Sequence, residues 1–138
     1  MFRHVGIVVN DIEKQLYFYK DLLGLDILYH EIESGYFLNK ILKTNKSVID
    51  IYKLGKNNRT IVELLKYQNK DTKVNKKSLS INGISHFAIT VSDIDFLYKI
   101  LYNKIEFLSK PEINESKTHK VCFCKDFENN FIELVEEL

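Results

Sequence analysis

The feature that most constrains the fold is an internal repeat. Residues 4–13 read HVGIVVNDIE, and residues 86–95 read HFAITVSDID. Each stretch begins with a histidine, continues as an apolar segment and ends in Asp-Ile followed by an acidic residue. Each half also ends in an apolar segment with a central glutamate, Glu63 in the first and Glu133 in the second. Self-similarity of this kind predicts two copies of one structural module.

Local patterns in the first half predict a strand, a helix and three further strands. Residues 2–9 alternate as a strand does, with His4 and Gly6 on one face. Asn10 is the expected N-cap of a helix over residues 11–23, which Gly24 ends. The further strands are predicted at residues 25–32, 47–54 and 59–66. Residues 35–42 fit either a short helix or a covering loop.

The second half repeats this order. A strand is predicted over residues 83–91, and Ser92 is the expected N-cap of the following helix. Three strands follow, at residues 106–108, 120–125 and 130–136. The segment 68–82 is polar, rich in lysine and without periodicity, so we interpret it as a linker between modules 1–67 and 83–138. The predicted class is therefore α+β, with two tandem βαβββ modules.

Composition and charge narrow the range of partners and cellular locations that we expect for the protein. The 138 residues carry a net charge of +1, which gives no reason to expect nucleic acid or an anionic membrane as partner. No apolar run reaches membrane-spanning length, and the N-terminus lacks the pattern of a signal peptide, so a cytoplasmic location is expected. Cys122 and Cys124 stand two positions apart, a poor geometry for a mutual disulfide. We expect two reduced, half-buried thiols.

Four side chains at repeat-equivalent places are the candidate site: His4, Glu63, His86 and Glu133. Each is predicted to lie in a strand among apolar neighbours on its own face, where an unpaired charge is costly. One such residue alone is more often a hydrogen-bonded core histidine or a glutamate facing solvent or a lysine. Four of them in matching places favour a metal site, and two imidazoles with two carboxylates suit Zn, Ni, Co, Mn or Fe. His30 and His119 have no repeat partner, and His119 is the better candidate for supporting a ligand.

Three segments carry a resemblance to a known family. They are residues 4–13, the sequence FYKDLLGL at 18–25, and Lys125-Asp126 with NFIELV at 130–135. On these the chain resembles the vicinal oxygen chelate superfamily, which includes glyoxalase I, bleomycin-resistance proteins, extradiol dioxygenases and methylmalonyl-CoA epimerases. The resemblance implies a curved mixed sheet around a central divalent ion. One departure lies in the last turn, where Phe127 and Asn129 replace the usual Pro and Gly.

Carried over position by position, the resemblance implies that His4, Glu63, His86 and Glu133 are the metal ligands. Glutamate at position 63 favours glyoxalase I over the epimerases, which typically carry glutamine there. The implied activity is a metal-dependent isomerase or lyase of glyoxalase I type, in which the ion stabilises an enediolate of a small oxygen-chelating substrate. Glu133 is the first choice for the base that removes the proton, and Glu63 the second.

The resemblance leaves other functions open. The same scaffold supports a methylmalonyl-CoA epimerase-like enzyme, an extradiol-type dioxygenase, and a metal-free protein that sequesters a small molecule such as a drug. Arg3 and Arg59 are the only arginines, which weakens the case for glutathione as part of the substrate. Homodimers are common in the resembling families, so a homodimer is expected here.

Overall fold

The computed structural model describes residues 1–70, 72–73 and 76–138. The chain divides into two compact units, Met1–Val74 and Asn75–Leu138. Each unit contains one four-stranded sheet with parallel and antiparallel pairs, which confirms the predicted α+β class. The boundary between the units falls within the predicted linker 68–82. Residues 71, 74 and 75 of that segment lie outside the described residues, and its role as a linker stays a prediction.

Unit 1 follows the predicted order of elements with one helix added. Its elements are β1 (Val5–Val8), α1 (Ile12–Leu16, continued by a π-helical segment Tyr17–Leu22), β2 (Asp26–Ser34), α2 (Tyr36–Leu42), β3 (Val48–Lys56) and β4 (Arg59–Tyr67). The strand order is β1-β4-β3-β2, and β1 runs parallel to β4 while the other pairs are antiparallel. The parallel pairing places the start of the chain beside the strand that carries Glu63.

The β3–β4 hairpin depends on special backbone positions. Asn57 and Asn58 both have positive φ angles, 51° and 59°, as a tight hairpin turn requires. A side chain at Gly55 would bring its Cβ to 1.8 Å from the carbonyl oxygen of Arg59. Glycine is therefore required at position 55 for the two strands to approach this closely.

Both main helices begin one residue later than predicted. The side chain of Asp11, not Asn10, accepts the hydrogen bond from the Lys14 N–H at 3.1 Å. In unit 2 the side chain of Asp93, not Ser92, accepts from the Phe96 N–H at 2.8 Å. A carboxylate at this position also interacts favourably with the positive end of the helix dipole, which an amide or hydroxyl does only weakly. Hydrogen bonding to the Lys14 backbone lowers the pKa of Asp11.

The residues that the first helix buries do not follow α-helical spacing throughout, because its second half is π-helical. A continuous α-helix over residues 11–23 would place Leu23 on the same face as Ile12 and Tyr19, yet Leu23, which follows the π-helical segment, is only partly buried. The buried residues are Ile12, Gln15, Phe18, Tyr19 and Leu22. A π turn takes more residues than an α turn, so it rotates every later position around the helix axis. The sequence period alone does not reveal this rotation.

One face of the first sheet forms the core of unit 1. Strand register places Val62 and Leu64 of β4 on the same face as Ile7 of β1 and Leu54 of β3. All four are buried, and α1 contacts β4. These four side chains form an apolar patch that crosses β1, β4 and β3, and burying this patch against the helix stabilises the unit.

The opposite face of the same sheet carries Glu63. Next to it on this face, Leu65 packs against a small hydrophobic cluster that does not include Glu63. The buried members of that cluster are Leu38, Ile49 and Ile51. Leu38 belongs to α2, so residues 35–42 form a short helix that covers part of this face, while Tyr36 and Phe37 remain exposed.

Unit 2 repeats the arrangement. Its elements are β5 (His86–Thr90), α3 (Ile94–Leu101), β6 (Glu112–Ile113), β7 (His119–Lys125) and β8 (Phe131–Glu137). The strand order is β5-β8-β7-β6, with β5 parallel to β8. In the described part of the chain, no helix is long and apolar enough to cross a membrane.

The strand predicted at residues 106–108 is wrong. Phe107 forms only an isolated bridge to Cys124, and the fourth strand of this sheet lies further along the chain, at Glu112–Ile113. Two backbone hydrogen bonds join this segment to β7 before the chain turns away. The Leu108 N–H donates to the Phe123 carbonyl, and the Lys125 N–H donates to the Glu106 carbonyl. A single bridge does not extend into a strand because the next residues pair with nothing on β7.

The two cysteines are reduced, as predicted, but more deeply buried than expected. Cys122 and Cys124 share a face of β7, and both are almost inaccessible to solvent. Burial raises the pKa of Cys122 to about 11 and that of Cys124 to about 12. Thiols this poor in thiolate are weak nucleophiles and metal ligands at neutral pH, so they serve as small core residues.

Candidate metal centre

The first histidine–glutamate pair lies on the face of the first sheet that is opposite the core of unit 1. His4 stands immediately before β1, rather than inside it as predicted, and Glu63 is central in β4. His4 Nε2 lies 3.2 Å from Glu63 Oε2, with side-chain exposures of 25% and 16%. Gly6 lies opposite Glu63 in the sheet, and a Cβ there would come within 3.9 Å of Glu63 Oε2, an ordinary contact distance. The pair is therefore half-buried but reachable from solvent.

The second pair has the same form in unit 2. His86 is the first residue of β5, and its Nε2 lies 3.3 Å from Glu133 Oε2 on β8, with exposures of 35% and 25%. Ala88, another small residue, lies opposite Glu133. The Ser85 hydroxyl lies 2.8 Å from His86 Nδ1. When Nδ1–H donates to Ser85, Nε2 presents its lone pair on the side of Glu133, as a metal ligand must.

The two distances are longer than that of the other histidine–carboxylate pair among the described residues, but similar to that of a surface ion pair such as Lys20–Asp21, at 3.2 Å. His30 Nε2 lies 2.7 Å from Asp50 Oδ1, within the usual range of a charge-assisted hydrogen bond. The separations of 3.2 and 3.3 Å in the two candidate pairs are longer. Two ligands that each lie about 2.1 Å from one ion are separated by about 3.0–3.4 Å in octahedral or tetrahedral geometry. The donor types and their spacing thus fit a divalent ion.

Of the four predicted site residues, the structure brings each histidine to the glutamate of its own half. Within either unit, the described residues contain no group of three or more potential metal ligands. That both pairs serve one ion stays a prediction. The other two histidines lie elsewhere: His30 stacks on Tyr52, on the sheet face opposite Glu63, and the His119 ring contacts the Thr118 hydroxyl.

Sequence reasoning missed the residues that stand beside the two glutamates. Lys53 of β3 pairs with Glu63 in the sheet, and its Nζ lies 3.6 Å from Glu63 Oε1. At the equivalent place in unit 2, Phe123 pairs with Glu133, and its ring meets the His86 ring edge to face at 5.1 Å. Each stands ten positions before its glutamate. That common spacing, read with the repeat, is the signal that would have found both.

Comparison with known proteins gives one family and one fold. The sequence model of the Glyoxalase/Bleomycin resistance protein/Dioxygenase superfamily matches residues 2–134. The uncharacterized protein YraH of Bacillus subtilis (strain 168) is 30% identical over 139 residues, which cover 97% of this chain and 96% of that protein. A glyoxalase family protein from Bacillus cereus has a similar structure, with a TM-score of 0.87 and 19% identity over 99% of this chain and 93% of that chain.

A second solved structure with this fold is a trypanothione-dependent glyoxalase I from Leishmania major. Its TM-score is 0.65, at 21% identity, covering 97% of this chain and 84% of that chain. At these identities the two structural likenesses concern the fold alone.

Proposed function

Since the chain belongs to the Glyoxalase/Bleomycin resistance protein/Dioxygenase superfamily, we propose that it is a metal-dependent isomerase or lyase of glyoxalase I type. Its substrate would be a small molecule that presents two neighbouring oxygens. The observation that supports this proposal is the recurrence of one contact, His Nε2 to Glu Oε2, at 3.2 and 3.3 Å in the two repeats. A function shared by the two repeats would account for the same pair at equivalent places.

The proposed ion ligands are His4, Glu63, His86 and Glu133. Neutral imidazole and carboxylate are the donors that Zn, Ni, Co, Mn and Fe accept, and the two buried thiols play no part. A bound divalent ion would supply Lewis acidity that stabilises negative charge on the substrate oxygens. The small residues Gly6 and Ala88 leave space beside each carboxylate for a substrate.

The base that removes the carbon-bound proton is proposed to be Glu133. Among the described residues, only His86 lies within ion-pair distance of Glu133, and its neighbour across the sheet is the apolar Phe123. Glu63, the second choice, has Lys53 within 4 Å in addition to His4. A carboxylate that contacts two partners is held more firmly in place than one that contacts a single partner. Glu133 is therefore better suited to take up a proton and return it.

The rival functions require different roles of the residues in the proposed site. A methylmalonyl-CoA epimerase-like reaction would use the same proton transfer on a larger substrate. A dioxygenase would leave Glu63 without a role as ligand, and a metal-free sequestering protein would have no use for two half-buried carboxylates, each set against a histidine. The proposal also includes a cytoplasmic location and a homodimer.

Metal analysis followed by two assays tests the proposal. Protein purified without chelator should contain a divalent ion, and the ion-loaded protein should turn over the hemithioacetal of methylglyoxal. Turnover of methylmalonyl-CoA in its place would favour the epimerase reaction. Protein that takes up none of Zn, Ni, Co, Mn or Fe would exclude a metal-dependent activity and favour the sequestering function.

A further inference from the structure

The two halves of the proposed site differ in charge at one position. Where unit 2 has Phe123 opposite its glutamate, unit 1 has Lys53. The Lys53 ammonium lies 3.6 Å from Glu63 Oε1 and 5.0 Å from the centre of the Tyr29 ring. Glu63 thus faces His4 with one oxygen and a lysine with the other. A repeat that keeps its histidines and glutamates but differs here points to a specific task for the lysine.

The contact between Lys53 and Glu63 is loose. At 3.6 Å it is longer than a charge-assisted hydrogen bond, about 2.7–2.9 Å. An ammonium has three donors, and this contact does not occupy all of them. The Tyr29 ring supports the ammonium from the side through a cation–π contact. Lys53 is therefore held beside Glu63 with donors to spare.

We propose that Lys53 contacts the substrate and selects substrates that carry a negative charge on or beside their chelating oxygens. This inference rests on the proposed function. The two glutamates would balance the charge of a divalent ion, so the Lys53 ammonium leaves the loaded site with one positive charge in excess. The side chain is only 32% exposed, so water screens that charge incompletely. An anionic group on the substrate compensates it.

Another lysine of the same strand shows what an ordinary surface pair looks like. Lys56, three residues further along β3, lies 3.1 Å from Asp26, and both side chains are more than half exposed. Replacing Lys56 therefore offers a matched control. It removes the same charge from the same strand, but from an ion pair that includes none of the candidate metal ligands.

The test compares Lys53→Met with Lys56→Met and Lys53→Arg, using full-length protein loaded with Co²⁺. Binding of Co²⁺ is measured first, by its absorption spectrum. Two small probes with oxygens at the same spacing are then titrated: glycolate, which is anionic, and hydroxyacetone, which is neutral. Lys53→Met should weaken glycolate binding about tenfold, the effect of losing one direct charge contact, and leave hydroxyacetone binding within about twofold of wild type. Lys53→Arg should restore most of the glycolate affinity.

Lys53→Met should also bind Co²⁺ more tightly than wild type, because the ammonium beside Glu63 repels a divalent ion. Changes of opposite sign for ion and anion distinguish a lysine whose charge acts on the bound anion from a lysine with a structural role. Unchanged glycolate affinity, an equal loss in Lys56→Met, or parallel losses of Co²⁺, glycolate and hydroxyacetone binding would overturn the inference while leaving the proposed function in place. Failure of wild-type protein to bind Co²⁺ would overturn both.

Discussion

At the scale of single residues, the two glutamates are alike in position but not in surroundings. Both lie at the centre of a strand that pairs in parallel with the histidine-bearing segment, and both contact that histidine. Glu63 has a lysine across the sheet, whereas Glu133 has a phenylalanine. A lysine offers the carboxylate a second polar contact and an aromatic ring does not. This difference in surroundings is the basis on which we propose Glu63 as a fixed ligand and Glu133 as the base.

Replacing the proposed base tests this distinction. Glu133→Gln removes the group that accepts a proton while keeping the size of the side chain, so kcat should fall by about 100-fold or more. Glu137→Gln makes the same change at the exposed end of the same strand and should leave kcat unaltered. The measurement is the steady-state rate on the hemithioacetal of methylglyoxal, with circular dichroism to confirm folding. A Glu133→Gln variant as active as wild type would transfer the role of base to Glu63.

At the scale of elements, each main helix is capped by the same aspartate of the repeat. Asp11 and Asp93 both have extended backbone angles and accept a hydrogen bond from the N–H three residues later. In unit 2 the first turn has a second acceptor, because Glu136 of β8 accepts from the Ile94 N–H at 2.9 Å. The strand that carries Glu133 is thereby tied to the helix that follows His86.

The identity of the cap predicts a difference between neighbouring residues. Asp93→Ala should lower the free energy of unfolding by about 1 kcal/mol, since an N–H of the first turn of α3 loses its partner. For a domain of this size that corresponds to a fall in melting temperature of about 3 °C. Ser92→Ala, at the position the sequence favoured, should cost a few tenths of a kcal/mol at most. Thermal unfolding followed by circular dichroism measures both, and equal losses would show that Ser92 shares the cap.

At the scale of the whole molecule, the chain consists of two units with one fold and one histidine–glutamate pair each. Neither unit supplies more than two ligands of the proposed set, and two ligands hold a divalent ion weakly. The shared ion that we propose would use all four, and it would explain why both halves keep the pair.

Stoichiometry distinguishes a shared ion from two separate ones. We expect one Co²⁺ per chain, and we expect His4→Ala and His86→Ala each to weaken binding by at least about tenfold, the smallest effect of removing a ligand that completes the site. Titration followed by the absorption of bound Co²⁺ gives both numbers, and His119→Ala serves as a control outside the proposed ligand set. Two ions per chain, each lost with one histidine only, would contradict a shared site.

The sequence by itself determined the repeat, the α+β class, most of the strands and the presence of one histidine and one glutamate at matching places in each half. These rest on local periodicity and on self-similarity, which are properties of the chain before it folds. The contacts of Lys53 and Phe123 with the glutamates were decided by strand register, which joins residues ten positions apart across a hairpin. The burial pattern of the first helix, the helix at Tyr36–Leu42 and the edge strand Glu112–Ile113 were likewise decided by tertiary packing. Local preference leaves these open, because the free energy that selects among them comes from contacts between distant segments.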